Sequence, residues 1–205
     1  MEVNASRLSK LVNSTQFLLP GKNKRIVAQN TRSNSKKKRI ALGRNPTPSY
    51  GLIDSQSSKT AYASEERGFD GGKKVKGRKR HIVSDTIGNL LAVKVHAANI
   101  HDTVAGIEPT KLAYKRYPSI KKFCGDDGYR GTFEIDVFWE FALGVDISAR
   151  IKPSFEVLPK RWIVERTLAW LGNSRRLSKD YEIATESAEA MVVISNLHTL
   201  LKSIT

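Results

Sequence analysis

The spacing of apolar positions changes along the chain and separates it into an irregular arm and a patterned domain. Over residues 1–45 two short apolar runs, Leu8–Val12 and Phe17–Leu19, stand among Asn, Ser, Thr and Lys with no sustained period. Such a stretch buries too little apolar surface to offset its conformational entropy, so mostly disorder is expected there, with one weak helix at most. "RNPTPS", Arg44 to Ser49, reads as a Pro-bearing linker. From Tyr50 onward the runs are regular. "SYGLIDSQ" predicts a strand ending at Asp54, and "RKRHIVSDTIGNLLAVKVHAAN" predicts two strands around a Gly88-Asn89 turn. Between them, "SEERGFDGGKKVKG" carries Gly68, Gly71, Gly72 and Gly77 and predicts a flexible loop.

The second half alternates. Residues 102–117 read as helix, with Pro118 beyond its end; "IKKFCGDD" reads as a strand, residues 131–143 as a helix and "GVDISARI" as another strand. Residues 159–178 carry Val164, Leu168 and Leu171 at helical spacing. A last helix from about Glu186 puts Ala190, Val193, Ile194, Leu197 and Leu201 on one face. Three strands, then strands alternating with helices, then helices: this order predicts an α/β domain over residues 46–205, preceded by an arm over residues 1–45. The first three strands form an antiparallel meander, and the later ones join the same sheet through crossover helices.

Charge narrows the partner. The chain has 205 residues, a formal net charge of +15 and a pI near 10.0. Residues 1–50 hold eleven Lys and Arg against a single acid, Glu2, so ten of those fifteen charges sit in the arm and linker. A polyanion is implied, nucleic acid first and an anionic membrane surface as the rival. No segment reaches the about 18 apolar residues of a spanning helix. The N-terminus shows no apolar core of a secretory signal. Cys124 is the one cysteine, which excludes an internal disulfide and suits a reducing, cytoplasmic setting.

In so basic a chain the acids at apolar strand ends need a reason. Asp54 follows Leu52 and Ile53, and Asp126 follows Phe123 and Cys124. If the two strands are neighbours, their carboxylates lie side by side, which is costly unless a cation holds them. Oxygen-only ligands suit magnesium or manganese. Glu165, four residues after Arg161 in "LPKRWIVERTLAWLG", lies off the apolar face of its helix and is the third candidate. An Asp, Asp, Glu set can hold two metals about 4 Å apart, activating an attacking oxygen and stabilising a leaving one. The plainer alternatives stay open: a strand-end Asp as turn former or helix cap, and Glu165 as a surface partner of Arg161. "GGKKVKGRKRH" offers Lys73, Lys74, Lys76, Arg78, Lys79 and Arg80 for phosphate contacts, with Arg130, Arg161, Arg175 and Arg176 as further candidates, against the alternative of solvated charge. A zinc reading of His96, His101 and Cys124 matches no common spacing. Trp162 and Trp170 read as core residues packing helix on sheet.

The segments "DSQSSKT", "GFDGGKKVKGRKRHIVSDTIGNLLAVKVHAANIHD", "GDDGYRG" and "LPKRWIVERTLAWLGNSRRLSKDYE" together resemble the bacterial insertion-sequence DDE transposases, most closely the IS-five family, from about Arg44 to the C-terminus. The resemblance implies a ribonuclease-H-like mixed sheet flanked by helices, two Mg2+ or Mn2+ ions, and DNA strand cleavage and transfer at the inverted repeats of the element and at its target. It places the family's catalytic, metal-holding set on Asp54, Asp126 and Glu165, and matches Arg161 to the arginine four residues before the glutamate. A homodimer is implied for the active form. Three departures accompany it. Asp127 stands where the family usually has glycine. Leu158 and Gly172 stand where the wider glutamate signature has tyrosine and lysine. Only a short arm precedes Asp54, where relatives carry a long helical region thought to bind element ends. The chain therefore resembles the second half of an enzyme split over overlapping frames, with the upstream product as a partner, or a truncated remnant that binds DNA without catalysis. A metal-dependent nuclease is the third alternative.

Overall fold

The computed structural model of the chain describes residues 21–148 and 161–203. The two apolar runs before residue 20, the end of "GVDISARI" and residues 159 and 160 fall outside that range. Strands β1 (Tyr50–Lys59), β2 (Gly68–Asp70), β3 (Val75–Ser84), β4 (Leu90–Ala97), β5 (Lys122–Asp126) and β6 (Gly144–Ser148) form one six-stranded sheet. β3 lies between β1 and β4 and is antiparallel to both, with the short β2 pairing at its beginning. β5 adds parallel to β1 on the far side, and β6 parallel to β5. This is the expected meander with parallel additions, a mixed sheet flanked by helices.

Side chains alternate across a strand, so each strand feeds two cores. Leu52, Ile82 and Cys124 point to one face, where they pack with Ile163, Val164, Leu168 and Val192 of the C-terminal helices. Ile53, Val83 and Phe123 point to the other, against Ala113, Phe133 and Val137. The helices are α1 (Gly21–Ala41), α2 (Asp102–Ala105), α3 (Ile107–Arg116), α4 (Thr132–Phe141), α5 (Arg161–Gly172) and α6 (Thr185–Lys202). Thus α5 and α6 cover the first face, and α3 and α4 cover the second.

Three expectations are corrected. The arm is not disordered over residues 21–41: these residues form α1. The helix is polar almost throughout and is held at a few points. Val27 packs on Ile194 and Leu197 of α6, and Arg39 pairs with Asp85 at 2.7 Å while its Nε donates to the Asn45 carbonyl. One apolar anchor and one distant ion pair leave no periodic signal. β1 does not end at Asp54 but continues to Lys59, because Ser55 to Lys59 pair with Gly77 to His81 of β3. The glycine-rich loop contains β2 and the start of β3, a hairpin tied by Asp70, which accepts from the Lys73 N–H at 3.0 Å.

The β3–β4 turn falls where expected, but Asp85 organises it. Its carboxylate accepts from the N–H groups of Ile87 and Asn89 and from the Asn89 amide, at 2.9–3.1 Å. Gly88 sits at φ +86°, where L side chains are strained, and a Cβ there would press on Thr167 Oγ1 at 3.0 Å. The glycine lets the turn close onto α5.

Candidate active site

Register assembles the first two acids. In the parallel pair Leu52 lies opposite Cys124. Two residues further along each strand, Asp54 and Asp126 occupy adjacent strands on the same face. That face is the one α5 covers, and α5 carries Glu165. Asp54 and Asp126 are half-buried, whereas Glu165 is exposed. Asp54 Oδ1 accepts from the Ser55 N–H at 2.7 Å, and Asp126 Oδ1 accepts from the Gly128 N–H at 3.0 Å. The turn-former role weighed for Asp126 is therefore real, and it uses one oxygen of the carboxylate.

The donor chemistry of the pair suits hard divalent cations: both side chains offer carboxylate oxygens alone. Among the described residues no group of three His, Cys, Asp or Glu lies close enough to hold an ion. The register places Asp54 and Asp126 on adjacent strands, and Glu165 stands on the helix that covers that face. The zinc reading has no geometry. His101 caps α2, His96 lies against His81, and Cys124 is buried in the core under α5.

Asp102, at the start of α2, is a neighbour of Asp126 that sequence spacing does not single out. A Cβ on Gly128 would lie 3.0 Å from Asp126 Oδ1 and 4.0 Å from Asp102 Oδ2, so the two carboxylates flank that glycine. Asp102 Oδ1 accepts from Ser55 Oγ and from Lys79 Nζ, each at 3.0 Å. Burial opposes its ionisation, but His81, Lys79 and Ser55 together outweigh it and hold the carboxyl below its ordinary range. It therefore anchors β1 one residue after Asp54. Its partners are far away in sequence, and a helix-start Asp gives no hint of them.

Beside it lies a chain of imidazoles. His96 Nδ1 donates to the Ala97 carbonyl at 2.9 Å, which leaves its Nε2 to accept from His81 Nδ1 at 2.6 Å. His81 Nε2 then faces Asp102 Oδ1 at 3.5 Å. Burial first, then His96, lower the His81 pKa from 6.5 to about 3 despite Asp102. The unfolded chain therefore binds a proton that the folded one refuses between those values. Stability is complete above 6.5 and falls as pH drops toward 3, by about 1.4 kcal/mol per unit for this one group. Urea unfolding between about pH 6 and pH 4 is expected to show this decline, and His81→Gln is expected to flatten it. An unaltered slope in the variant would assign the decline to other groups.

The basic candidates divide. Arg78, Lys79 and Arg80 are 0%, 7% and 3% exposed and are committed to partners within the protein. Arg78 pairs with Asp180 and donates to the carbonyls of Glu65, Glu182 and Ile183. Arg80 donates to the Leu177 and Lys179 carbonyls, and Lys79 to Asp102 and the Ile100 carbonyl. The reason is position: β3 is central, with both faces covered, so its long basic side chains must end on acids and carbonyls. Lys73, Lys74 and Lys76 are exposed on the hairpin, with Lys73 Nζ reaching the Ser55 carbonyl at 3.2 Å. Arg175 and Arg176 are exposed in a 3₁₀ turn, Arg176 pairing with Glu182 at 2.8 Å. Arg161 opens α5, and its side chain lies outside the described residues. Trp162 is also corrected: it is 41% exposed, not core, while Trp170 is half-buried.

Arg130 is exposed and held by Asp127 at 2.8 Å, the Asp127 side chain itself being 60% exposed. The hydrogen bond and charge of Asp127 raise the Arg130 pKa above its ordinary value. Asp127 is spent on that surface pair. Asp127→Gly is accordingly expected to leave manganese binding, read by calorimetry, unchanged. Loss of binding would move the metal role from Asp126 to its neighbour.

A family model described as "Transposase DDE domain" matches residues 45–200. No curated protein sequence matches the chain. Among solved structures, the catalytic core domain of BIV integrase is similar at 10% identity and TM-score 0.42, over 73% of this chain and 81% of that one. The simian T-cell lymphotropic virus intasome, in complex with PP2A regulatory subunit B56 gamma, is similar at 14% identity and TM-score 0.47, over 72% and 48%. The catalytic domain of the Mos1 mariner transposase is similar at 10% identity and TM-score 0.41, over 92% and 93%.

Proposed function

Because the chain belongs to the transposase DDE domain family, we propose that it cleaves and joins DNA at the ends of a bacterial insertion sequence of the IS-five type. The observation that carries this reading is the register that sets Asp54 beside Asp126 on the face covered by the helix of Glu165. Asp54 and Asp126 would hold divalent magnesium or manganese, and Glu165 would complete the donor set. The bound ions would supply activation of an attacking oxygen, first of water and then of a DNA 3′-hydroxyl, and stabilisation of the leaving one. Asp102, through Ser55, fixes the backbone beside Asp54. Lys73, Lys74, Lys76, Arg175 and Arg176 are exposed cations available to phosphates, which position a strand without reading its sequence. The reading extends to a homodimer as the active form, to a cytoplasmic, nucleoid-associated setting, and to the product of an upstream frame as the reader of element ends. No helix among the described residues is long and apolar enough to cross a membrane.

The alternative is a remnant that binds DNA without cutting it. It is favoured by the exposure of Glu165 on α5, whereas the two aspartates are half-buried. A cleavage assay on a labelled element end with manganese decides between the two. Nicked product from the purified chain supports the enzyme. Binding with no product, also after addition of an upstream-frame product, supports the remnant.

A further inference from the structure

Helix α4 is apolar on two sides. Phe133 and Val137 face the sheet and are fully buried. On the other side Ile135, Phe138, Trp139 and Ala142 follow one another at i, i+3, i+4 and i+7, one stripe of a helix, and all four are exposed. Trp139 is 80% exposed, with the Phe138 ring T-shaped against it at 5.9 Å between centroids. Single exposed apolar residues are ordinary on a surface, but a whole stripe marks a helix that docks on something. The charge around the stripe says what. Residues 131–148 hold Glu134, Asp136, Glu140 and Asp146 and no Lys or Arg, in a chain of net charge +15. Such a face repels a phosphate backbone. It also repels α4 of a second copy, which brings the same acids. The partner it fits is apolar and basic.

The chain itself carries such a surface. "KKKRIALGR", residues 36–44, holds five cations and no acid. Ile40 and Leu42, at the end of α1, are 54% and 56% exposed and stand among exposed Lys36, Lys37 and Arg44. The docking of α1 on its own domain rests on Val27 and Arg39 instead. Within one copy α1 is fixed on α6 and at the β3–β4 turn, while α4 packs over β6 at the opposite edge of the sheet, so the two surfaces stay apart. We propose that α4 of one copy receives the Ile40–Leu42 end of α1 from a second copy, twice over in a two-fold pair. Phe138 and Trp139 pack on Ile40 and Leu42, and the acids of α4 face the cations around them. Taking these side chains out of water in both contacts buries on the order of 1,000 Å2, the scale of a specific interface. The proposal rests on the homodimer in the reading above and names its surface.

Sedimentation velocity of the full chain across micromolar concentrations, without DNA or metal, is expected to show a monomer–dimer equilibrium. Trp139→Ala and Ile40→Asp are each expected to raise the dissociation constant about tenfold or more, the effect of removing a central anchor. Mixing the two variants is the decisive arm. One keeps an intact α1 and the other an intact α4, so the mixture regains one complete contact and is expected to associate more tightly than either variant alone. Thermal unfolding checks that both variants stay folded, which the exposure of the two side chains favours. A monomeric unaltered chain overturns the proposal. So does an Ile40→Asp protein that dimerises like the unaltered chain, which is the behaviour of α4 meeting α4, and so does a mixture no tighter than its parts. A dimer that survives both substitutions sinks this surface and leaves the homodimer of the reading above in place, whereas a monomer that cuts element ends sinks that homodimer as well.

Discussion

Asp54→Asn, Asp126→Asn and Glu165→Gln are each expected to reduce metal-dependent cleavage of element ends by about 10³-fold, while DNA affinity is kept or raised. The amide is nearly isosteric with the acid but carries no charge, so the protein loses a ligand and keeps its shape. Losing one ligand of an ion that stabilises the transition-state charge costs several kcal/mol, and about 4 kcal/mol corresponds to that factor. The two aspartates should behave alike, because the pairing of β1 with β5 gives them equivalent places on one face. Glu165→Gln is the more informative variant, because Glu165 is exposed on α5 while the aspartates are half-buried on adjacent strands. Strong loss with Glu165→Gln would mean that the helix approaches the aspartates when DNA and metal are bound. Cleavage at an unchanged rate in any one variant removes that residue from the metal site. The measurement is single-turnover cleavage of a labelled end at saturating protein.

Arg78→Ala is expected to destabilise the fold by about 3–5 kcal/mol, the cost of leaving a buried charge without its partner. In a chain of this length that corresponds to a fall in Tm of about 10 °C. The side chains of Arg78 and Asp180 are 0% and 1% exposed, and the same guanidinium also serves three backbone carbonyls around residues 65 and 182–183. Its removal unties the β2 side of the sheet from the segment that leads into α6. DNA affinity of the folded variant, and its slope against salt, should stay as they are, because a buried guanidinium neutralises no phosphate. Lys74→Ala should do the reverse, costing little stability and lowering the salt slope by about one phosphate's share. A stable Arg78→Ala protein with weakened DNA binding would restore the sequence-based assignment of β3 to DNA.

The strands that carry Asp54 and Asp126 are legible in the amino-acid sequence because the information they need is local, whereas their adjacency comes from the pairing of β1 with β5. An apolar run ending in Asp marks a strand, and period two assigns the face, although β1 runs on past Asp54 to Lys59. The hairpin around Gly88, the crossover helices and the apolar stripe of α5 follow from the same short-range spacing. What local spacing cannot carry is which distant group comes to meet a side chain. "KGRKRH" has the composition of a solvated loop, and it is a buried strand only because Asp180, Asp102 and a set of carbonyls arrive from elsewhere in the chain. α1 has no apolar period to announce it, since Val27 and the Arg39–Asp85 pair are enough to dock a polar helix. Trp162 and Trp170 share one stripe and one residue type. The closure of the β3–β4 turn onto α5, together with the direction of the helix, leaves one indole half-buried and the other open to solvent. Backbone periodicity is written within a few residues, whereas burial of charge is decided by partners 20 to 100 positions away, and only the folded chain brings those together.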